Sequence, residues 1–210
     1  MIRVMLADDH PIVRRGLRDI LSVEPDVEIC GEARDAAEAL RVVTVTPCDL
    51  VILDLSLPDR HGLDVLAQIT AQQPAPRVLV LTMHPETQFA VRAMRMGAAG
   101  YLTKDSAAAE LVGAVRTIVR GGRYISPALA DALVDRLQTG ADAPAHERLS
   151  ARELDVLLRI GAGQSPTQIA SELHLSVKTI STYRARILDK LALTTTAELI
   201  HYVARSRLLG

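Results

Sequence analysis

Leu50-Val51-Ile52-Leu53-Asp54 is the stretch on which the fold turns: four apolar residues that stop at an acid. A short apolar run bounded by polar punctuation reads as a strand. The same design recurs on either side of it. Ile2-Arg3-Val4-Met5-Leu6-Ala7 ends in Asp8-Asp9, Val78-Leu79-Val80-Leu81 ends in Thr82, and Gly100-Tyr101-Leu102-Thr103 ends in Lys104. With a further run near 27–31 there are five strands, separated by amphipathic stretches near 12–23, 35–45, 63–72, 86–96 and 107–120. Five βα units predict a doubly wound, flavodoxin-like α/β domain: a five-stranded parallel sheet with helices on both faces. The loop Pro58-Asp59-Arg60-His61-Gly62 and the pair Gly121-Gly122 punctuate it.

The carboxyl ends of the strands in such a sheet line one edge, where ligands bind. Asp8, Asp9, Asp54, Thr82 and Lys104 would therefore converge there. Clustered carboxylates repel unless a cation joins them, and all-oxygen ligation suits Mg²⁺ or Mn²⁺. Each side chain then fits a part in phosphoryl transfer to a carboxylate. Asp54 is the nucleophile that becomes an acyl phosphate, and Asp8, Asp9 and Asp54 hold the cation. Lys104 brings a point charge and Thr82 a hydroxyl to the phosphoryl oxygens. Taken singly, Asp9 could cap a helix, Asp54 open a turn and Lys104 pair with Asp105; their joint position at strand ends makes them one site.

Composition agrees with a globular chain of one ordinary domain and a small one. Of 210 residues 49% are hydrophobic but only 2% aromatic, so Leu, Val, Ile and Ala must fill the core. Cys30 and Cys48 form no C-x-x-C pattern and read as buried thiols in a reducing compartment. No signal segment opens the sequence and no apolar run nears the roughly 20 residues of a bilayer span, so a cytoplasmic protein is expected. Charge is uneven. Residues 1–125 carry 14 Lys/Arg against 16 Asp/Glu, residues 126–149 carry 2 against 4, and residues 150–210 carry 8 against 5. An acidic front and a basic tail put a polyanion at the tail.

Residues 127–138 read as a helix with Pro127 in its first turn, and Thr139 to Ala145 as a flexible linker. Beyond it the strand signal vanishes. Ser150-Ala-Arg-Glu153 and Ser165-Pro166-Thr167-Gln168 are capping-box patterns, Ser176 precedes a third helix and Thr195-Thr-Ala-Glu198 opens a fourth. His174-Leu175 is a tight turn between the second and third, as a helix-turn-helix requires. In the third helix Ile180, Ile187 and Leu191 share the inward face. Lys178, Ser181, Thr182, Ala185 and Arg186 share the outward one, suited to the major groove of DNA. Lys178, Thr179, Tyr183, Arg184, Arg186 and Lys190 are phosphate-contact candidates. Base reading falls to Ser181, Thr182 and the Ala185 methyl, with DNA shape supplying further specificity.

Asp8-Asp9, Asp54, Thr82, Tyr101 and Lys104 together resemble the receiver domain of two-component response regulators, over residues 1 to about 123. Leu149 to Leu157, the run Leu175-Ser-Val-Lys-Thr-Ile-Ser-Thr-Tyr-Arg-Ala-Arg-Ile, Lys190-Leu191 and Ala197-Glu198-Leu199 resemble the LuxR-type helix-turn-helix. The whole is similar to the NarL/FixJ-type regulators: receiver 1–123, linker helix and flexible linker 124–148, DNA-binding domain 149–210. The resemblance implies that the Ser56 carbonyl also binds the metal, and that Thr82 and Tyr101 are the switch pair. His84, two residues after Thr82, either tunes phosphate loss or is a surface residue. The resemblance further implies a cognate sensor histidine kinase, a homodimer on promoter DNA when phosphorylated, and no enzymatic role beyond slow self-dephosphorylation. Pro166, Thr167, Gln168 and Tyr183 depart from the family's usual residues. An aspartyl-phosphate hydrolase would want a second acid where Ser56 stands. A receptor for an apolar signal would want an aromatic-lined pocket, and the front half has only Phe89, Tyr101 and Tyr124.

Overall fold

The computed structural model describes residues 1–83, 86–126, 130, 145–206 and 208–209. The chain forms two compact units, Met1–Asp135 and Arg136–Gly210. In the first, β1 (Ile2–Ala7), α1 (Pro11–Ser22), β2 (Val27–Ala33), α2 (Ala36–Val45), β3 (Leu50–Asp54), α3 (Gly62–Thr70), β4 (Arg77–Thr82), α4 (Glu86–Arg95), β5 (Gly100–Thr103), α5 (Ala107–Val119) and β6 (Tyr124–Ile125) follow one another. The sheet is parallel throughout, in the order β2-β1-β3-β4-β5-β6. Every residue of β3 is buried, because helices cover both faces of the strand. Val4, Leu6, Leu17, Leu21, Ile52 and Leu111 are among the side chains packed between the sheet and one of these layers.

The sheet has six strands where the sequence predicts five. The sixth is only two residues long, too short for any periodic signal. It forms because α5 ends abruptly. Gly121, at φ +94°, turns the chain back while Gly121 and Gly122 donate to the Ile118 and Thr117 carbonyls, and Tyr124 then pairs with Gly100. The strand order carries the functional consequence. From β1 the chain crosses to β2 on one side, then returns to β3 on the other, so a crevice opens beyond the carboxyl ends of β1 and β3.

The second unit is helical: a 3₁₀ turn (Ala145–Arg148), α6 (Ala151–Gly161), α7 (Pro166–Glu172), α8 (Val177–Leu191) and α9 (Thr196–Arg205). All four helix starts are capped as their sequences indicate, with reciprocal capping boxes at Ser150/Glu153, Ser165/Gln168 and Thr195/Glu198 and a Ser176 cap on the Thr179 amide. His174 adopts φ +52° in the turn between α7 and α8, where the Leu175 amide donates to the Ala170 carbonyl. Ile169, Ile180, Ile187, Leu199 and Val203 form the buried centre.

Residues 145–148, which the sequence assigns to the linker, are folded onto this unit. His146 is buried, with its main-chain amide 3.2 Å and its Nδ1 3.0 Å from the Tyr202 hydroxyl of α9. The helix expected over 127–138 and the linker over 139–145 lie outside the described residues but for 130 and 145, and so does His84. Cys30 and Cys48 are free thiols, half-buried rather than buried; burial raises both, Cys48 to about 11. No helix among the described residues is long and apolar enough to cross a membrane.

Candidate functional site

β1 and β3 deliver their terminal acids into the crevice. Asp8 and Asp54 are 2% and 1% exposed, so the sheet holds two carboxylates almost out of water. Between them sits Lys104, carried from the end of β5. Its Nζ lies 2.6 Å from one Asp8 oxygen and 2.7 Å from one Asp54 oxygen. The Lys104 amide donates to the Thr82 carbonyl at 2.9 Å, which ties the ends of β4 and β5 together at the same edge. The other Asp54 oxygen accepts from the Ser56 amide at 3.0 Å, so the loop after β3 orients the carboxylate. Thr82 and Tyr101 are both fully buried, on β4 and β5, with Tyr101 registered opposite Val80.

Electrostatics describes a pair under tension. Burial pushes the Asp54 carboxyl upward, the Asp8 carboxylate adds to this, and the Lys104 charge opposes it without cancelling it. Burial works to lower the Lys104 ammonium, but Asp54 and Asp8 outweigh it and hold it above its ordinary value. Asp8, Asp9, His10 and Asp54 each offer a ligand atom, and those atoms lie within 4.8 Å of one another. Three carboxylates at that spacing fit a hard divalent ion.

His10 is the residue that sequence reasoning passed over. Its Nδ1 is 2.5 Å from an Asp9 oxygen and its amide donates to Asp8 at 2.8 Å. The signal was its place directly after Asp8-Asp9. α3 abuts the end of β3: the Gly62 amide donates to the Leu55 carbonyl at 2.8 Å, and no Cβ would fit at Gly62.

In the second unit Lys178, Ser181, Thr182, Ala185 and Arg186 lie exposed on α8, while Ile180, Ile187 and Leu191 are buried, as the spacing predicts. Thr179 and Tyr183 are partly exposed, the Thr179 hydroxyl lying 2.8 Å from that of Ser176. Two of the expected phosphate cations are tied into the fold. Arg184 donates to the Thr196 hydroxyl at 2.7 Å, and Lys190 reaches the buried Glu153 at 2.6 Å. Lys190 thereby holds the N-terminal capping box of α6 against α8, a structural part that its sequence position did not disclose.

Comparison with known proteins meets this geometry at both ends. Residues 4–116 match the response regulator receiver domain, and residues 147–203 match the bacterial regulatory proteins of the luxR family. The chain belongs to the LuxR family of response regulators. It is a DNA-binding regulator of transcription in which a receiver precedes a helix-turn-helix. It is 35% identical over 215 residues to the oxygen regulatory protein NreC of Staphylococcus carnosus, covering 99% of each chain. It is 36% identical over 208 residues to a probable transcriptional regulatory protein NarL of Mycobacterium tuberculosis, covering 99% of this chain and 96% of that one. Among solved structures, a LuxR-family regulator from an Aurantimonas species shares 42% identity at a TM-score of 0.60, covering 64% of this chain and 96% of that one. RcsB of Salmonella enterica serovar Typhimurium, bound to a promoter in the presence of the phosphomimetic BeF₃⁻, shares 27% at 0.62, covering 96% and 97%.

Proposed function

We propose that this response regulator is switched by phosphorylation of Asp54 from a cognate sensor histidine kinase. The observation that carries the reading is Lys104, whose ammonium spans Asp8 and Asp54 in a crevice that also gathers Asp9. An Asp54 oxygen attacks the phosphorus of a kinase phosphohistidine. The P–N bond breaks as the P–O bond forms, and the imidazole leaves with a proton from solvent. Lys104 neutralises the phosphoryl oxygens and the Thr82 hydroxyl donates to one of them. Asp8, Asp9, Asp54 and the Ser56 carbonyl would hold Mg²⁺ or Mn²⁺, which when bound supplies positive charge at the transferring oxygens. Water returns the acyl phosphate slowly to carboxylate, the only catalysis assigned.

The receiver is residues 1–123, the linker 124–148 with its last turn docked on the helical unit, and the DNA-binding domain 149–210. Burial of the Tyr101 ring and engagement of Thr82 bias the receiver toward the form that pairs two copies on promoter half-sites. Lys178, Thr179, Tyr183 and Arg186 contact phosphates, joined by Arg184 and Lys190 if DNA draws them from their partners, and Ser181, Thr182 and Ala185 face the bases. Acting on DNA, the protein works in the cytoplasm. The test is intact mass after incubation with acetyl phosphate and Mg²⁺. Wild type gains one phosphoryl group and Asp54→Asn gains none; equal labelling of both would move the acceptor elsewhere.

A further inference from the structure

The outward face of α8 holds a chemical restriction that its amino-acid names hide. Lys178, Thr182, Ala185 and Asp189 follow one another at spacings of four, three and four along the line opposite the buried Ile180, Ile187 and Leu191, and all four are exposed. Ser181 flanks that line. Ser181 and Thr182 look like hydroxyl readers able to donate or accept. In the structure both hydroxyl protons are already committed: Ser181 Oγ donates to the Val177 carbonyl at 3.0 Å, and Thr182 Oγ1 to the Lys178 carbonyl at 3.0 Å. A carbonyl can only accept, so the direction of each bond is settled.

With its oxygen drawn back along the helix, Thr182 is fixed about χ1. It offers outward a methyl group and the remaining lone pair, but no proton. Ala185, one turn on, offers another methyl. The base-facing middle of the helix is therefore apolar, with cations on either side of it at Lys178 and Arg186 and an exposed acid further on at Asp189. In the major groove one base-edge feature is apolar, the C5-methyl of thymine.

We infer that Thr182 and Ala185 read thymine methyl groups, and that these contacts, rather than hydroxyl hydrogen bonds, set base preference at the centre of each half-site. The inference rests on the second unit binding DNA through α8, and its test separates the two. The beryllofluoride-treated full chain is used to select duplexes from a random pool, and each thymine of the selected half-site is then replaced by deoxyuridine, which removes only the methyl. Wild type loses about fourfold in affinity at each methyl that packs on the helix. Thr182→Val, which keeps the methyl and discards the hydroxyl, retains both affinity and the response to deoxyuridine at its position. Thr182→Ser, which keeps the hydroxyl and discards the methyl, binds about fourfold more weakly and no longer distinguishes thymine from deoxyuridine there. Both positions are exposed, and a thermal melt confirms that each variant folds. Deoxyuridine without effect at every half-site thymine would overturn the inference, as would Thr182→Val losing as much affinity as Thr182→Ser. Selection of no duplex at all would overturn the DNA reading of α8 and this inference with it.

Discussion

Replacing Gly62 by Ala adds one methyl group at the most closely packed glycine of the receiver. A Cβ there would lie 2.4 Å from the Asp54 carbonyl oxygen and 2.5 Å from the Leu55 Cα. Ordinary contact begins at 3.4 Å, so the start of α3 must retreat by about 1 Å. Both opposing atoms are backbone and cannot rotate aside. Overpacking of this kind costs about 1–3 kcal/mol. The Gly62 amide bond to the Leu55 carbonyl, 2.8 Å long, is stretched with it at a further cost of about 1 kcal/mol. The expected loss is about 2–4 kcal/mol, or a fall of roughly 1.5 M in urea midpoint for a slope near 2 kcal/mol/M. Because the new methyl presses on the main chain of Asp54 and Leu55, labelling by acetyl phosphate falls too. Gly16→Ala is the control. Gly16 lies within α1 with nothing inside 4 Å of its Cβ position, so the same methyl should stabilise by about 0.5–1 kcal/mol. Urea unfolding followed by circular dichroism reads both. A Gly62→Ala protein as stable as wild type would refute the packing argument, and a Gly16→Ala protein destabilised like Gly62→Ala would show that the effect is not local.

Three further outcomes are expected. Burial works to raise Glu153, but the Lys190 ammonium and the Ser150 cap outweigh it and hold its carboxyl below the usual value of 4.5; its stabilising effect is therefore complete above pH 4.5 and fades as pH falls through the folded value, so urea midpoints between pH 3 and pH 6 should decline less steeply in Glu153→Gln. Asp155, fully buried, joins Arg152 and Arg159 of the same helix at 3.4 and 2.8 Å; Asp155→Ala removes the buried acid that both guanidiniums share, although Arg159 keeps Glu172, and should cost about 3 kcal/mol in a melt, whereas a change under 1 kcal/mol would show that the pairs are screened. Lys178→Ala should lower the slope of log affinity against log salt by about 0.9, and an unchanged slope would remove Lys178 from the phosphate contacts.

How far the sequence discloses this molecule depends on the range of the interaction. Each of β1 to β5 announces itself locally, and a strand's end fixes where its last side chain goes, so the meeting of Asp54, Thr82 and Lys104 at one sheet edge was legible although 50 residues separate Asp54 from Lys104. The capping boxes at Ser150, Ser165 and Thr195 were legible because their partners are three residues away. β6 was not, since two residues hold no period. Nor were His146 on Tyr202, Lys190 on Glu153 or Arg184 on Thr196, because each pairing is decided by how helices pack. The same holds for Ser181 and Thr182. Their names promise donors, and only the side-chain geometry shows the protons already given to carbonyls.

The central claim is that charge gathered on Asp54 controls assembly on DNA. Sizing and DNA binding with beryllofluoride and Mg²⁺, an acyl-phosphate mimic, test it on wild type and Asp54→Asn together. The account predicts that wild type alone dimerises and binds its selected duplex more tightly. DNA binding intact in both proteins, with neither responding to the mimic, would contradict it and place control in another signal or in the amount of protein.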